Sequence, residues 1–167
     1  MRTQAPGDAE LQRLAQRLGE RLRATGGWLT LAESCTGGWV AKVVTDVPGS
    51  SDWFDRGFVT YTNAAKQELL GVPAAVLAGE GAVSEATVAA MARGALARSQ
   101  AQLSCAISGI AGPGGATAAK PVGLVWFAWG TRDGAVRAEQ QVFAGDREAV
   151  RRQAVARALR GLLDAAG

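Results

Sequence analysis

The chain has 167 residues, 48% of them hydrophobic and 20% charged, with 18 basic against 15 acidic side chains and a net charge of +3. That length corresponds to a single domain able to bury its own core, and no apolar run approaches the roughly 18–20 residues that span a bilayer. Histidine is absent, which removes the usual general base, the usual zinc ligand and the usual partner in a serine or cysteine triad.

Two cysteines, Cys35 and Cys105, form neither a disulfide framework nor a metal-ligand spacing. The N-terminal stretch Met1 to Asp8 lacks the apolar core of a signal peptide, so the expected location is the cytoplasm. A pI of 9.3 invites a nucleic-acid reading. The basic residues, however, are mostly arginines at Arg13, Arg17, Arg21 and Arg23 and again at Arg147, Arg151, Arg152, Arg157 and Arg160. No aromatic residues interleave with them, which points to solvated helix faces. Arginine does not give up its proton, so a nitrogen base must be Lys42, Lys66 or Lys120, the only lysines.

In chain order, Leu11, Leu14, Ala15, Leu18 and Leu22 predict a helix over 8–25, with Asp8 as its cap and Gly26-Gly27 as its end. Trp28 to Ala32 reads as a strand, and Trp39 onward as a helix with Val40, Val43, Val44 and Val47 on one face. Between them lies Glu33-Ser34-Cys35-Thr36-Gly37-Gly38. A strand-to-helix turn of this kind can hold an anion or an oxyanion on backbone N–H groups; Ser34 and Thr36 could equally serve only as helix caps. Phe58 to Tyr61 predicts a second strand, forming a βαβ unit with the first. Thr62-Asn63 caps a short helix ending at Leu70, and Ser84-Glu85 opens a longer one to about Ser99, with Val88, Met91, Ala92 and Ala95 buried. Leu103 to Ser108 is a strand running into the glycine-rich loop Gly109 to Gly115, which lacks the Lys-Ser/Thr ending of a nucleotide P-loop. Val122 to Gly130 and Ala135 to Phe143 form a hairpin across Arg-Asp-Gly, and Gly145-Asp146-Arg147 opens the last helix. The order implies an α/β fold: a three-layer α/β/α sandwich with a mixed sheet of about five strands.

Three polar loops then end at one sheet edge: Ser34 to Gly38, Tyr61 to Lys66, and Ser108 to Gly115. Ligands bind at such edges of open α/β sheets. A nucleophilic serine without histidine needs another base, and a lysine of lowered pKa can supply it. Lys66 is the lysine on a site loop, with Tyr61 able to relay a proton or bond the ammonium. Residue logic alone leaves a serine–lysine hydrolase beside purely structural loops.

The segments Ala32 to Gly38, Tyr61-Thr-Asn-Ala-Ala-Lys66, Gly81 to Glu85, and Ser108-Gly-Ile-Ala-Gly-Pro113 followed by Lys120-Pro-Val-Gly123 closely resemble the CinA C-terminal domain family, in order and over nearly the whole chain. The likeness is to its stand-alone amidases, and it implies one amidase domain over 1–167. It implies hydrolysis of nicotinamide mononucleotide to nicotinate mononucleotide and ammonia in pyridine nucleotide recycling. No room remains for the N-terminal pyrophosphatase domain of fused members. The same resemblance makes Ser34 the nucleophile, Lys66 the base, Tyr61 its partner, and the Ser34–Gly38 turn the oxyanion donor. The positions expected to bind substrate are Thr36, Gly37, Gly38, Asn63, Ser108, Gly109, Gly112 and Arg147. Ser108 replaces a threonine common in the family and keeps its hydroxyl. No cofactor or metal is expected, and no nucleic-acid or membrane partner; a homodimer is the expected assembly. Two other readings stay open: a catalytically silent nucleotide-binding or regulatory module of the same family, and a nucleic-acid-binding domain.

Overall fold

The computed structural model describes residues 4–167; Met1–Thr3, the start of the stretch read as lacking a signal peptide, lie outside the described residues. Helix α1 (Asp8–Thr25) buries Leu11, Leu14, Ala15, Leu18 and Leu22, the expected stripe, and Gly26 ends it with φ 69°. Its N-cap is Gly7 rather than Asp8. Asp8 pairs instead with Arg152, because α1 lies along the last helix and a guanidinium is within reach of its carboxylate.

Strand β1 (Leu29–Glu33) is buried throughout, and α2 (Trp39–Thr45) follows the serine turn. Strand β2 (Phe54–Val59) starts earlier than the pattern suggested and ends before Tyr61. It is an edge strand with much of its length exposed, so Asp55, Arg56 and Gly57 are tolerated and apolar alternation fails. Helix α3 (Asn63–Leu70) is capped by Thr62, whose hydroxyl accepts from the Ala65 amide at 3.0 Å. A helix absent from the sequence reading, α4 (Ala74–Glu80), follows Pro73 and buries only Leu77. Helix α5 (Glu85–Ala97) is capped by Ser84. Strands β3 (Leu103–Gly109), β4 (Leu124–Thr131) and β5 (Val136–Val142) precede α6 (Arg147–Ala165), whose cap is Asp146.

The five strands make one mixed sheet in the order β2-β1-β3-β4-β5. Strand β1 runs parallel to β2 and β3, while β4 is antiparallel to both β3 and β5. One face presents Leu29, Leu31, Leu103, Ile107, Val125 and Phe127 to α1, α2 and α6. The other presents the small side chains Ala32, Ala106 and Ala128 to the helices α3–α5. The three-layer α/β/α reading therefore holds. Each large aliphatic or aromatic side chain removed from water contributes about 1.5–3 kcal/mol.

Glycine sets two close approaches. A Cβ on Gly94 of α5 would stand 2.1 Å from the Leu70 carbonyl oxygen of α3, and one on Gly161 of α6 would stand 2.0 Å from the Trp129 ring of β4. The Trp129 indole also donates to the Ala158 carbonyl at 3.1 Å.

The arginines of the terminal helices do more than solvate a face. Arg21 donates to the Leu163 carbonyl, Arg152 pairs with Asp8 and Glu148, Arg157 with Glu139, and Arg160 with Glu10. They tie α6 to α1 and β5, since the two long helices pack side by side and bring opposite charges together.

Candidate active site

Strands β1, β2 and β3 are parallel, so the loops that follow them share one edge of the sheet. There they enclose a cavity of about 300 Å³ lined by Ser34, Cys35, Tyr61, Lys66, Ser108 and Arg147, by Val83, and by the Gly109–Gly112 segment. Of the residues expected to bind substrate, Ser108, Gly109, Gly112 and Arg147 reach it. Thr36, Gly37, Gly38 and Asn63 do not line it. A larger hollow, about 690 Å³, adjoins it at Val83 and runs along α5.

Ser34 is 7% exposed and Lys66 1%. The Lys66 amine is 3.0 Å from Ser34 Oγ, and its other contacts are the carbonyls of Thr60 at 2.9 Å and Tyr61 at 3.2 Å. No carboxylate lines the cavity to hold the ammonium, and burial pushes the Lys66 pKa below its ordinary value of 10.5. A neutral amine fits these contacts: two N–H groups for two carbonyls, and a lone pair for the Ser34 hydroxyl. The other lysines are elsewhere, Lys42 on Asp46 and Lys120 on the Glu80 carbonyl.

Tyr61 meets Lys66 differently from the expected phenol contact. The side chain is 60% exposed, and its hydroxyl accepts from Arg147 Nη2 at 3.1 Å. Its carbonyl is the atom that reaches Lys66, because the chain turns from β2 into α3 at this residue and directs the carbonyl inward. Arg147 also donates from Nη1 to the Gly112 carbonyl at 2.7 Å, so one guanidinium joins the β2 and β3 loops across the cavity.

The α2 N-terminus does not face the cavity with its amides, as the helix-dipole reading proposed. Glu33, 1% exposed, fills that role from within the fold. Its carboxylate accepts from Thr36 Oγ1 at 2.7 Å and from the amides of Val40 at 2.9 Å and Ala41 at 3.0 Å. Burial raises its pKa, against the pull of these donors. Ser34 and Thr36 therefore do not cap α2; its N-cap is Gly38, with φ 98°. The Gly37 amide donates to the Ser34 carbonyl at 3.0 Å. Among the described residues, the Cys35 amide has no acceptor and Cys35 lines the cavity, whereas Thr36 is fully buried behind it. Burial, with the nearby Glu33 carboxylate, pushes the Cys35 thiol up to about 12, so at neutral pH it is not a thiolate nucleophile.

Glu33 and Arg151 were missed by sequence reasoning. An acid closing a short, mostly apolar strand was the available signal for Glu33. Arg151 had none beyond lying one helical turn past Arg147.

An open α/β sheet with a buried serine–lysine pair where its parallel strands end defines the class. The chain belongs to the CinA C-terminal domain family, whose sequence model matches residues 11–166. It is 55% identical over 155 residues to the nicotinamide-nucleotide amidohydrolase PncC of Escherichia coli strain K12, covering 93% of this chain and 94% of that one. To the Pseudomonas putida protein of the same name it is 57% identical over 151 residues, 90% of this chain and 93% of that one. The solved competence/damage inducible protein CihA from Agrobacterium tumefaciens superposes with a TM-score of 0.91 at 44% identity, covering 97% of this chain and 98% of that one.

Proposed function

We propose that the protein hydrolyses the carboxamide of nicotinamide mononucleotide, giving nicotinate mononucleotide and ammonia. The observation that carries the mechanism is the 3.0 Å contact between Lys66 Nζ and Ser34 Oγ in a cavity free of carboxylates. An intact pair of this kind also argues against a catalytically silent module.

Neutral Lys66 takes the Ser34 proton as Oγ attacks the amide carbon. The carbonyl oxygen becomes an oxyanion facing the Cys35 amide, a donor of the kind that stabilises such charge strongly. The C–N bond then breaks, and the departing nitrogen takes the proton from the Lys66 ammonium and leaves as ammonia. Water attacks the Ser34 ester while Lys66 again accepts a proton. Ser34 recovers its hydrogen and the acid departs as its carboxylate.

Val83, Ile110 and Ala111 supply apolar wall for the pyridine ring, and the Ser108 hydroxyl, which has no partner among the described residues, is available to the carboxamide. Arg147 uses two of its five N–H groups on Gly112 and Tyr61, leaving three for the phosphate. Thr36 and Gly37 serve through the turn rather than by contact.

The described residues work as one domain, and the proposal places the enzyme in the cytoplasm as a homodimer without nucleic-acid or membrane partners. No described helix is long and apolar enough to cross a membrane. Exposed Val59, Tyr61 and Leu69 are apolar residues that a second copy could cover. The test is ammonia release from nicotinamide mononucleotide by the purified protein, with the acid product identified by chromatography. A protein that releases no ammonia overturns the reading.

A further inference from the structure

Arg151 lies outside the cavity, yet its guanidinium spans two consecutive carbonyls of the nucleophile turn. Nε donates to the Cys35 carbonyl at 3.0 Å and Nη2 to the Thr36 carbonyl at 3.2 Å. The group rests over the Trp39 ring, 5.3 Å from its centroid. Arg152, Arg157 and Arg160 on the same helix each pair with an acid. Arg151 has no acidic partner among the described residues, so its charge is directed at these two peptide groups.

In a trans peptide the N–H points opposite to the C=O. The Gly37 amide holds the Ser34 carbonyl, which sets the direction of the Cys35 N–H. Arg151 holds the Thr36 carbonyl, which sets the direction of the Gly37 N–H that makes this bond, and the Cys35 carbonyl, which fixes the peptide after Cys35. Both peptide groups flanking Cys35 are thus pinned, and the Cys35 N–H beside the cavity is left without an acceptor.

We propose that Arg151 is a positioning residue that fixes the peptides on both sides of Cys35 and so orients the Cys35 N–H as the oxyanion donor beside Ser34. The inference rests on the acyl-enzyme reading above. It assigns Arg151 no contact with substrate, in contrast to Arg147 one turn earlier.

The experiment compares wild type, Arg151→Met and Arg151→Lys with nicotinamide mononucleotide, and adds pyridine-3-boronic acid, which forms a tetrahedral adduct with a serine hydroxyl. Arg151→Met is expected to lower kcat by about 10- to 100-fold, toward the loss seen when an oxyanion donor is removed, with KM changed less than threefold. The boronate inhibition constant should rise in parallel with the loss in kcat, while inhibition by nicotinate mononucleotide stays put. Arg151→Lys, which keeps the charge and a donor nitrogen but loses the planar fork, should recover part of both effects, and it carries the comparison if the methionine variant does not fold. A kcat within twofold of wild type in the folded variant, or a fall in kcat and melting temperature with unchanged boronate binding, overturns the proposal alone. A wild type that releases no ammonia overturns the acyl-enzyme reading and this proposal with it.

Discussion

The Lys66 amine lies 3.0 Å from the Ser34 hydroxyl, joining two side chains 32 residues apart in a wall with no acid to hold a charge. The protein therefore buries a lysine in the setting that favours its neutral form. Activity should rise with pH through a limb set by Lys66, below the ordinary lysine value of 10.5, because the neutral amine is the base. Lys66→Arg keeps a positive charge and cannot accept a proton. It should lower kcat at least ~10²-fold, the low end for a positioned general base. An active arginine variant with an unchanged pH profile removes Lys66 from the mechanism.

The same burial gives a stability prediction. The folded state binds a proton at Lys66 less readily than the unfolded chain, so this residue's contribution to stability improves as pH rises between the lowered value and 10.5. Lys66→Met removes the burdened charge. It should abolish turnover yet raise stability at neutral pH by about 0.5–2 kcal/mol, as active-site substitutions of this type often do. Thermal melting of the two proteins at pH 7 checks it; a lower melting temperature for the methionine variant contradicts it.

Ser34 and Cys35 are neighbours in the same wall, and the raised thiol pKa of about 12 distinguishes them. Ser34→Ala should lose all detectable turnover, while Cys35→Ala should keep most of it. Pre-treatment with iodoacetamide at pH 7.5 should leave the wild-type rate unchanged. Retained activity in Ser34→Ala would assign the chemistry to another group.

Arg147 and Tyr61 separate by substrate. Losing a charge-assisted bond to phosphate costs about 1.5–3 kcal/mol, so Arg147→Ala should raise KM for the mononucleotide about 10- to 100-fold. The matching nicotinamide riboside should be affected much less. Tyr61→Phe removes the hydroxyl on Arg147 and leaves the carbonyl on Lys66, so kcat should fall less than about fivefold. A larger fall with an altered pH profile would return the phenol to the proton path.

Gly94→Ala tests how α5 holds the base in place. The added methyl meets the Leu70 carbonyl, four residues after Lys66 on α3. Overpacking of this kind costs about 1–3 kcal/mol. The variant should melt lower and, where still folded, show a reduced kcat because α3 must move. Unchanged melting would mean that the crossing is looser than its geometry.

Much of this site can be read before any coordinates are known. The apolar run ending at Ser34, the capped turn at Thr62 and the glycines after Ser108 each mark a strand end, and parallel pairing brings such ends to one edge. What escapes has physical reasons. Strand β2 borders the sheet, so Arg56 and Gly57 are exposed and Asp55 is held at the edge by the Gln100 amide, which interrupts the period. Helix α4 buries one large side chain, Leu77, too few to leave a stripe. At Tyr61 the residue type suggested a phenol, whereas the backbone direction made the carbonyl the useful atom. Thr36 was expected to bind substrate from the family resemblance; Glu33 claims its hydroxyl from inside the fold.

The contact of Gly161 with Trp129 acts on the site from far away. About 21 Å of helix separates Gly161 from Arg147 at 1.5 Å per residue. The flat fit of the indole on a glycine, locked by its bond to the Ala158 carbonyl, works as an index mark for α6. Slipping the helix by one residue would rotate it about 100° and swing both Arg147 and Arg151 off their loops. The phase of the catalytic edge is thus set at the opposite end of the molecule, so an insertion or deletion within α6 can silence the enzyme without altering any residue that lines its cavity.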